Sequence, residues 1–250
     1  MSTYKSYPDK FVNYAHRGAS EYLPENTLLA FYTGIYMGAN GIETDVRRTA
    51  DGKLVLFHDK TLERVTGDPR SVENCTLDEL TKLDVQKNGF CDKIVLFEDF
   101  LEKFAFRDIT FAIELKGEGV EKDTADLLRK YGLTNKAVVT SFKLEYLKNF
   151  IAYAPEFEFG LLTKEVTPEL EAELLSLGAT EICPLATTLS AEDVDRWHSM
   201  GFRVRAWGVK DEATMKHVCD CGADGMTCNF PDKLTEYINS NNTCFVEILY

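Results

Sequence analysis

"GIETDVRRTADGKLVLFHDK", residues 41–60, holds two patterns that decide the architecture. Ile42, Thr44 and Val46 share one parity, while Gly41, Glu43 and Asp45 share the other. Side chains alternate faces along a strand, so this segment has an apolar face suited to covering helices and a charged one. Asp51-Gly52 then marks a tight hairpin between two extended runs. With those two as the loop, Ala50 pairs with Lys53, and counting outward pairs Asp45 with His58. That register returns an imidazole to the carboxylates, and a bulge in the turn shifts it by one residue.

"TFAIELK", residues 110–116, repeats the arrangement: Phe111, Ile113 and Leu115 oppose Ala112, Glu114 and Lys116. Unpaired carboxylates in the middle of a barrel are very costly. Glu43, Asp45, Glu114 and Lys116 are therefore expected at the C-terminal ends of their strands, where barrel active sites sit. Further strands are expected at 11–15, 137–141, 157–162, 181–183, 203–207 and 225–228, with the two above at 41–46 and 110–115. Helix signals lie between them. Leu28, Phe31, Tyr32, Ile35 and Tyr36 follow helical spacing up to Gly38, and Thr76 with Glu79 has the spacing of a capping box. Other helices are expected near 98–106, 121–131, 143–153, 168–177, 190–200, 211–221 and 232–239. Eight strands alternating with helices give an α/β fold, a single (β/α)8 TIM barrel with a hairpin and helical insertion between strands 2 and 3. A doubly wound open sheet is the competitor. No linker or low-complexity stretch divides the chain, so residues 1–250 read as one domain.

The charge count, 28 basic against 41 acidic residues, gives −13 and argues against nucleic acid or an anionic membrane as partner. No strongly basic amphipathic helix supports stable membrane association. The N-terminal MSTYKSYPDKF has no apolar h-region, which leads us to expect a soluble, cytoplasmic protein. Seven cysteines without paired metal-ligand spacing read as reduced thiols, the closest pair, Cys219 and Cys221, forming only CxC. The apolar tail, residues 243–250, suits an added strand on the barrel or a contact with a second copy, so a homo-oligomer stays open.

Three acidic groups and two histidines, His16 and His58, are thus aimed at one mouth. Clustered carboxylates repel unless a cation or protons neutralise them. Arg17 or Lys116 can supply part of that charge, which leaves an ion-pair network without metal as one reading. For a metal, oxygen-only ligands favour one hard divalent cation, Mg2+ or Ca2+. His198 and His217, on expected helices, read as structural, Asn26 and Thr27 as helix capping, and Cys228 as a small apolar filler.

With these residues in hand, the chain resembles the glycerophosphodiester phosphodiesterase family. The resemblance is carried by "AHRGASEYLPENTLLAF" (15–31), residues 41–67, "AIELKG" (112–117), "VRAWGVK" (204–210) and "GADGMTCNFPDKL" (222–234), in the family's order. It implies a (β/α)8 barrel that splits small-molecule glycerophosphodiesters into glycerol 3-phosphate and an alcohol. It also implies His16 and His58 as the general acid/base pair, and Glu43, Asp45 and Glu114 as metal ligands. Arg17 and Lys116 would hold phosphate oxygens. Trp207 suits a glycerol or alcohol group, with barrel-rim packing as its alternative. Two positions depart from the commonest family pattern: Gly208, where Thr is frequent, and Asn229, where Asp is frequent. Competing functions are a lysophospholipase D-type or phosphoinositide phosphodiesterase, and a non-catalytic barrel that binds phosphodiesters.

Overall fold

In the computed structural model, which describes residues 11–242, the strand Val12–His16 pairs in parallel with both Gly41–Arg48 and Gly225–Cys228. This double pairing closes a barrel whose other staves are Thr110–Leu115, Ala137–Ser141, Glu158–Thr163, Glu181–Pro184 and Arg203–Val209. All eight expected strands are present, and closure rules out the open sheet. Helices cover the outside, several with side-chain caps such as Thr167, Ser190 and Asp211.

Strand parity sorts the side chains as expected. Ile42, Val46, Phe111 and Ile113 face the helices and join a buried layer that includes Phe31, Phe97, Phe100 and Phe104. Inside the barrel, Val12, Tyr14, Ala112 and Val138 form a separate small cluster. Cys228 is the buried filler expected of it.

The first helix, Leu28–Tyr36, packs Leu28, Phe31 and Ile35 on the core as its spacing suggests, but leaves Tyr32 and Tyr36 exposed. Ala30, Phe31 and Gly34 are buried, whereas Tyr36 is 91 % exposed. A Cβ at position 34 would come within 2.8 Å of the Ala15 Cβ. Close approach of helix to strand therefore runs along the small residues and pushes Tyr32 and Tyr36 outward.

Between the second and third barrel strands the chain builds the expected insertion. Leu54–Leu56 pairs antiparallel with Gly41–Arg48, and Val95–Leu96 lies against it. The four-residue helices Glu63–Thr66 and Leu77–Leu80 and a hairpin, Asp84–Lys87 with Phe90–Lys93, fill the interval. Thr76 and Glu79 form the complete capping box. The insertion has its own core of Val55, Phe57, Leu62, Val72, Leu80, Val85 and Ile94.

The hairpin register differs by one residue from the two-residue-loop expectation. Val46 lies opposite Leu56, and Arg48 opposite Leu54. The Thr49 amide donates to Lys53 O at 2.9 Å, enclosing a three-residue loop whose last member, Gly52, has φ +79°. A left-handed glycine in a three-residue loop is the bulged alternative to the two-residue turn. Asp45 therefore pairs with Phe57, whose amide donates to Asp45 O at 3.0 Å, and His58 lies one position further along. Among the described residues no helix is long and apolar enough to cross a membrane. The segment 243–250, expected to add a strand or meet a second copy, lies outside the described residues.

Candidate active site

The second strand pairs with its barrel neighbour as far as Asp45 with Glu114 and Val46 with Leu115, while Arg47 and Arg48 continue into the hairpin. Asp45 and Glu114 thus stand side by side at the barrel's C-terminal rim, with Glu43 one inward-facing position below. One oxygen from each of Glu43, Asp45 and Glu114 falls within a 4.8 Å cluster. All three side chains are buried. A cavity of about 290 Å³ opens above them, and its lining includes His16, Arg17, His58, Lys116 and Trp207. The structure brings together the residues expected at the site, His16, Arg17, Glu43, Asp45, His58, Glu114, Lys116 and Trp207, whereas His198 and His217 lie outside it. His198 instead pairs with Asp224 at 2.8 Å, and His217 approaches the Leu189 carbonyl at 2.8 Å.

The cations are already engaged. Lys116 Nζ lies 2.6 Å from Glu114 and 3.5 Å from Asp45 Oδ1. Arg17 places Nε 3.1 Å from Asp45 Oδ2 and donates Nη1 to Glu25 at 2.9 Å. Arg17 also holds a left-handed backbone, φ +55°, uncommon outside glycine and locally strained.

Burial and the neighbouring Asp45 charge push the Glu43 carboxyl well above its ordinary value. Burial likewise raises Glu114, to about 7, against the opposing pull of Lys116. Burial acts on Asp45 in the same direction, but Arg17 and Lys116 outweigh it and hold the carboxyl below the usual range. The triad thus carries one firmly ionised carboxylate beside two that resist ionisation without additional positive charge.

One observation tests whether the residues suit a cation. Asp45 Oδ1 is buried with no hydrogen-bond partner, its Lys116 contact being an ion pair at 3.5 Å. An orphaned carboxylate oxygen within a cluster of three carboxylates, all oxygen donors, fits a hard divalent ion.

Both histidines have their Nδ1 occupied. His16 Nδ1 lies 2.6 Å from Asn229 Oδ1, which also accepts from Ser20 Oγ at 3.1 Å. His58 Nδ1 lies 2.6 Å from Asp59 Oδ1. An acceptor at each Nδ1 assigns its hydrogen there and leaves Nε2 as the nitrogen able to accept a proton. His16 Nε2 is 3.8 Å from Glu43 Oε2. Burial, together with Arg17, depresses both imidazoles below their ordinary value of 6.5, and Lys116 adds to the effect on His58.

Several site residues escaped the sequence reading. Asn26 is no cap: Thr27 caps the helix, while Asn26 Nδ2 donates to Asp45 Oδ2 at 2.9 Å and its Oδ1 accepts from Thr44 at 2.8 Å. A left-handed backbone at Asn26, φ +56°, turns the side chain away from the helix it precedes. Asp59, Glu25 and Asn229 orient His58, Arg17 and His16. Only the adjacency of His58 and Asp59 was a local signal. Trp207 donates Nε1 to Thr163 O at 3.1 Å and meets Phe142 edge to face at 4.7 Å, forming one cavity wall. Gly208 has φ +77°, and this left-handed backbone explains the glycine, since a Cβ there would meet only the end of a flexible side chain, Leu185 Cδ1, at 2.9 Å.

Comparison with known proteins points the same way. The sequence profile of the glycerophosphoryl diester phosphodiesterase family matches residues 16–233. A Bacillus altitudinis glycerophosphodiester phosphodiesterase is 30 % identical over 232 residues, covering 88 % of this chain and 95 % of that protein. An uncharacterized Bacillus subtilis protein is 31 % identical over 238 residues, covering 91 % and 98 %. A solved glycerophosphodiester phosphodiesterase from Parabacteroides distasonis superposes with a TM-score of 0.79 at 26 % identity, covering 93 % of this chain and 99 % of that one.

Proposed function

The chain belongs to the glycerophosphoryl diester phosphodiesterase family, and we propose that it uses a divalent cation with His16 and His58 to hydrolyse small glycerophosphodiesters. The products are glycerol 3-phosphate and an alcohol. Convergence of Glu43, Asp45 and Glu114 with both imidazoles on one cavity carries the reading.

A phosphodiester is slow to react because the nucleophile meets its negative charge and the alkoxide leaves poorly. Glu43, Asp45 and Glu114 would hold Mg2+ or Ca2+, which supplies positive charge to the phosphoryl oxygens. Arg17 and Lys116 line the same cavity and stabilise charge on those oxygens as it grows. One imidazole takes the proton through Nε2 from the attacking hydroxyl, either that of water or the substrate's neighbouring glycerol hydroxyl, and in the second case water then opens the cyclic phosphate to glycerol 3-phosphate. As the new P–O bond forms, the P–O bond to the alcohol breaks, and the other imidazole delivers a proton to the departing oxygen. Asp59 and Asn229 keep the two rings in the required tautomer and orientation. Trp207 and Phe142 shape the wall against which an ester arm packs.

At about 290 Å³ the cavity lies at the small end of ligand sites, favouring a deacylated headgroup over a lipid with its chain. The deciding assay offers chelator-treated protein a panel of glycerophosphodiesters and a lysophospholipid, with Mg2+ or Ca2+ added singly, and measures glycerol 3-phosphate from the former and released alcohol from both. Product should appear from the glycerophosphodiesters only when an ion is present. Full turnover with no bound ion eliminates the metal, and ligand binding without product under either ion favours a non-catalytic barrel.

A further inference from the structure

We propose that Arg64 is a positioning residue for this reaction, joining the groups that orient Arg17 to those that orient His58. The inference rests on the functional reading above and adds a residue that touches neither substrate nor metal ligands.

Arg64 belongs to the insertion, on the short helix Glu63–Thr66, and is about half exposed. Its guanidinium nevertheless makes three directed contacts. Nη1 donates to Glu25 Oε2 at 2.8 Å, Nη2 to Glu25 Oε1 at 2.7 Å and Nε to Asp59 Oδ2 at 2.5 Å. Each carboxylate has a second task. Glu25 Oε1 also accepts from Arg17 Nη1 at 2.9 Å, and Asp59 Oδ1 faces His58 Nδ1 at 2.6 Å. The result is a continuous chain, Arg17–Glu25–Arg64–Asp59–His58. Its first two members come from the loop after the first barrel strand and its last three from the insertion.

An exposed ion pair by itself contributes little to stability. The value of this one is geometric. A planar fork that binds one carboxylate through two nitrogens and another through a third fixes their separation and relative orientation. Without it, Glu25 and Asp59 repel each other and each can adopt other rotamers, carrying Arg17 and His58 with them. Small displacements of catalytic groups cost rate steeply, on the order of 100-fold for 1 Å. Lysine offers one nitrogen in place of the fork, so it preserves the charge and loses the geometry.

The test compares wild type, Arg64→Met and Arg64→Lys on glycerophosphocholine with saturating divalent ion, together with Asp59→Asn and the Asp59→Asn/Arg64→Met double variant. Arg64→Met should lower kcat by roughly 10- to 100-fold while KM moves less than about threefold. Arg64→Lys should recover no more than about threefold of that loss. The double variant should lose clearly less than the product of the two single losses, because the two residues act as one unit. Wild-type kcat in Arg64→Met, full recovery by lysine, or multiplicative losses in the cycle would each overturn the proposal. Should Arg64→Met not fold, Arg64→Lys, similar in length and equal in charge, carries the decision: wild-type kcat overturns the proposal and a reduced one supports it. A wild-type chain that releases no glycerol 3-phosphate under any ion defeats the functional reading itself and this proposal with it. An active wild type matched by Arg64→Met defeats the proposal alone.

Discussion

Asn26 donates to one oxygen of Asp45 at 2.9 Å and leaves the other, Oδ1, buried without a hydrogen-bond partner. The amide fixes the carboxylate's rotation, so the free oxygen is directed rather than merely available. Groups that orient a metal ligand commonly govern affinity nearly as strongly as the ligand itself. Asn26→Ala is therefore expected to weaken divalent-ion binding by about 10- to 100-fold. Calorimetric titration of chelator-treated protein checks this, and unchanged affinity in a folded variant would refute the orienting role.

The two imidazoles lie on one cavity with Nδ1 occupied, so loss of either should damage turnover more than binding. His16→Ala and His58→Ala are each expected to lower kcat by about 100-fold or more. Steady-state kinetics on purified, folded protein decide the point. Near-normal rates in either variant would remove that residue from the mechanism.

The metal-free protein should lose stability as pH rises above 6.5. Glu114 is raised by burial from 4.5 to about 7, and Glu43 is raised well above 4.5. The folded state then holds more protons than the unfolded state, so the stability these groups contribute below 4.5 is lost as pH climbs through about 7. His16 and His58, depressed below 6.5, act oppositely, and their effect fades as pH rises past 6.5, where the unfolded chain's imidazoles lose their protons. Thermal melts in chelator between pH 6.5 and about 8.5 should show a falling midpoint. Glu114→Gln should flatten the slope, and a bound divalent ion should abolish it. A flat wild-type profile would count against the buried acidic cluster.

Trp207 forms a wall with Phe142 and is tied to the Thr163 carbonyl. Trp207→Ala is expected to raise KM about tenfold with a smaller change in kcat, the pattern of a contact made equally in ground and transition states. A fall in kcat at constant KM would place the ring closer to the reacting atoms. No change in either would return it to rim packing.

Much of the fold was written locally. Period-two parity in residues 41–46 and 110–115 separates a helix-facing layer from a cavity-facing one, and this separation depends only on strand geometry. Once both segments are staves of one barrel, Glu43, Asp45 and Glu114 have little choice but to converge. The three-residue loop escaped the same reasoning because Asp51-Gly52 is compatible with both turn lengths, and Thr49 Oγ1, which donates to Asp51 and accepts from the Lys53 amide, supports the bulged form.

The sequence by itself thus determined the barrel, the acidic cluster and the presence of two imidazoles at its mouth, because alternation, capping and turn chemistry act over a few residues. Only tertiary structure decided which groups orient them. Asn229 meets His16 across 213 positions of chain, and Arg64 reaches Glu25 across 39. Barrel closure and the docking of the insertion create those contacts, and neither is encoded in any short window of sequence.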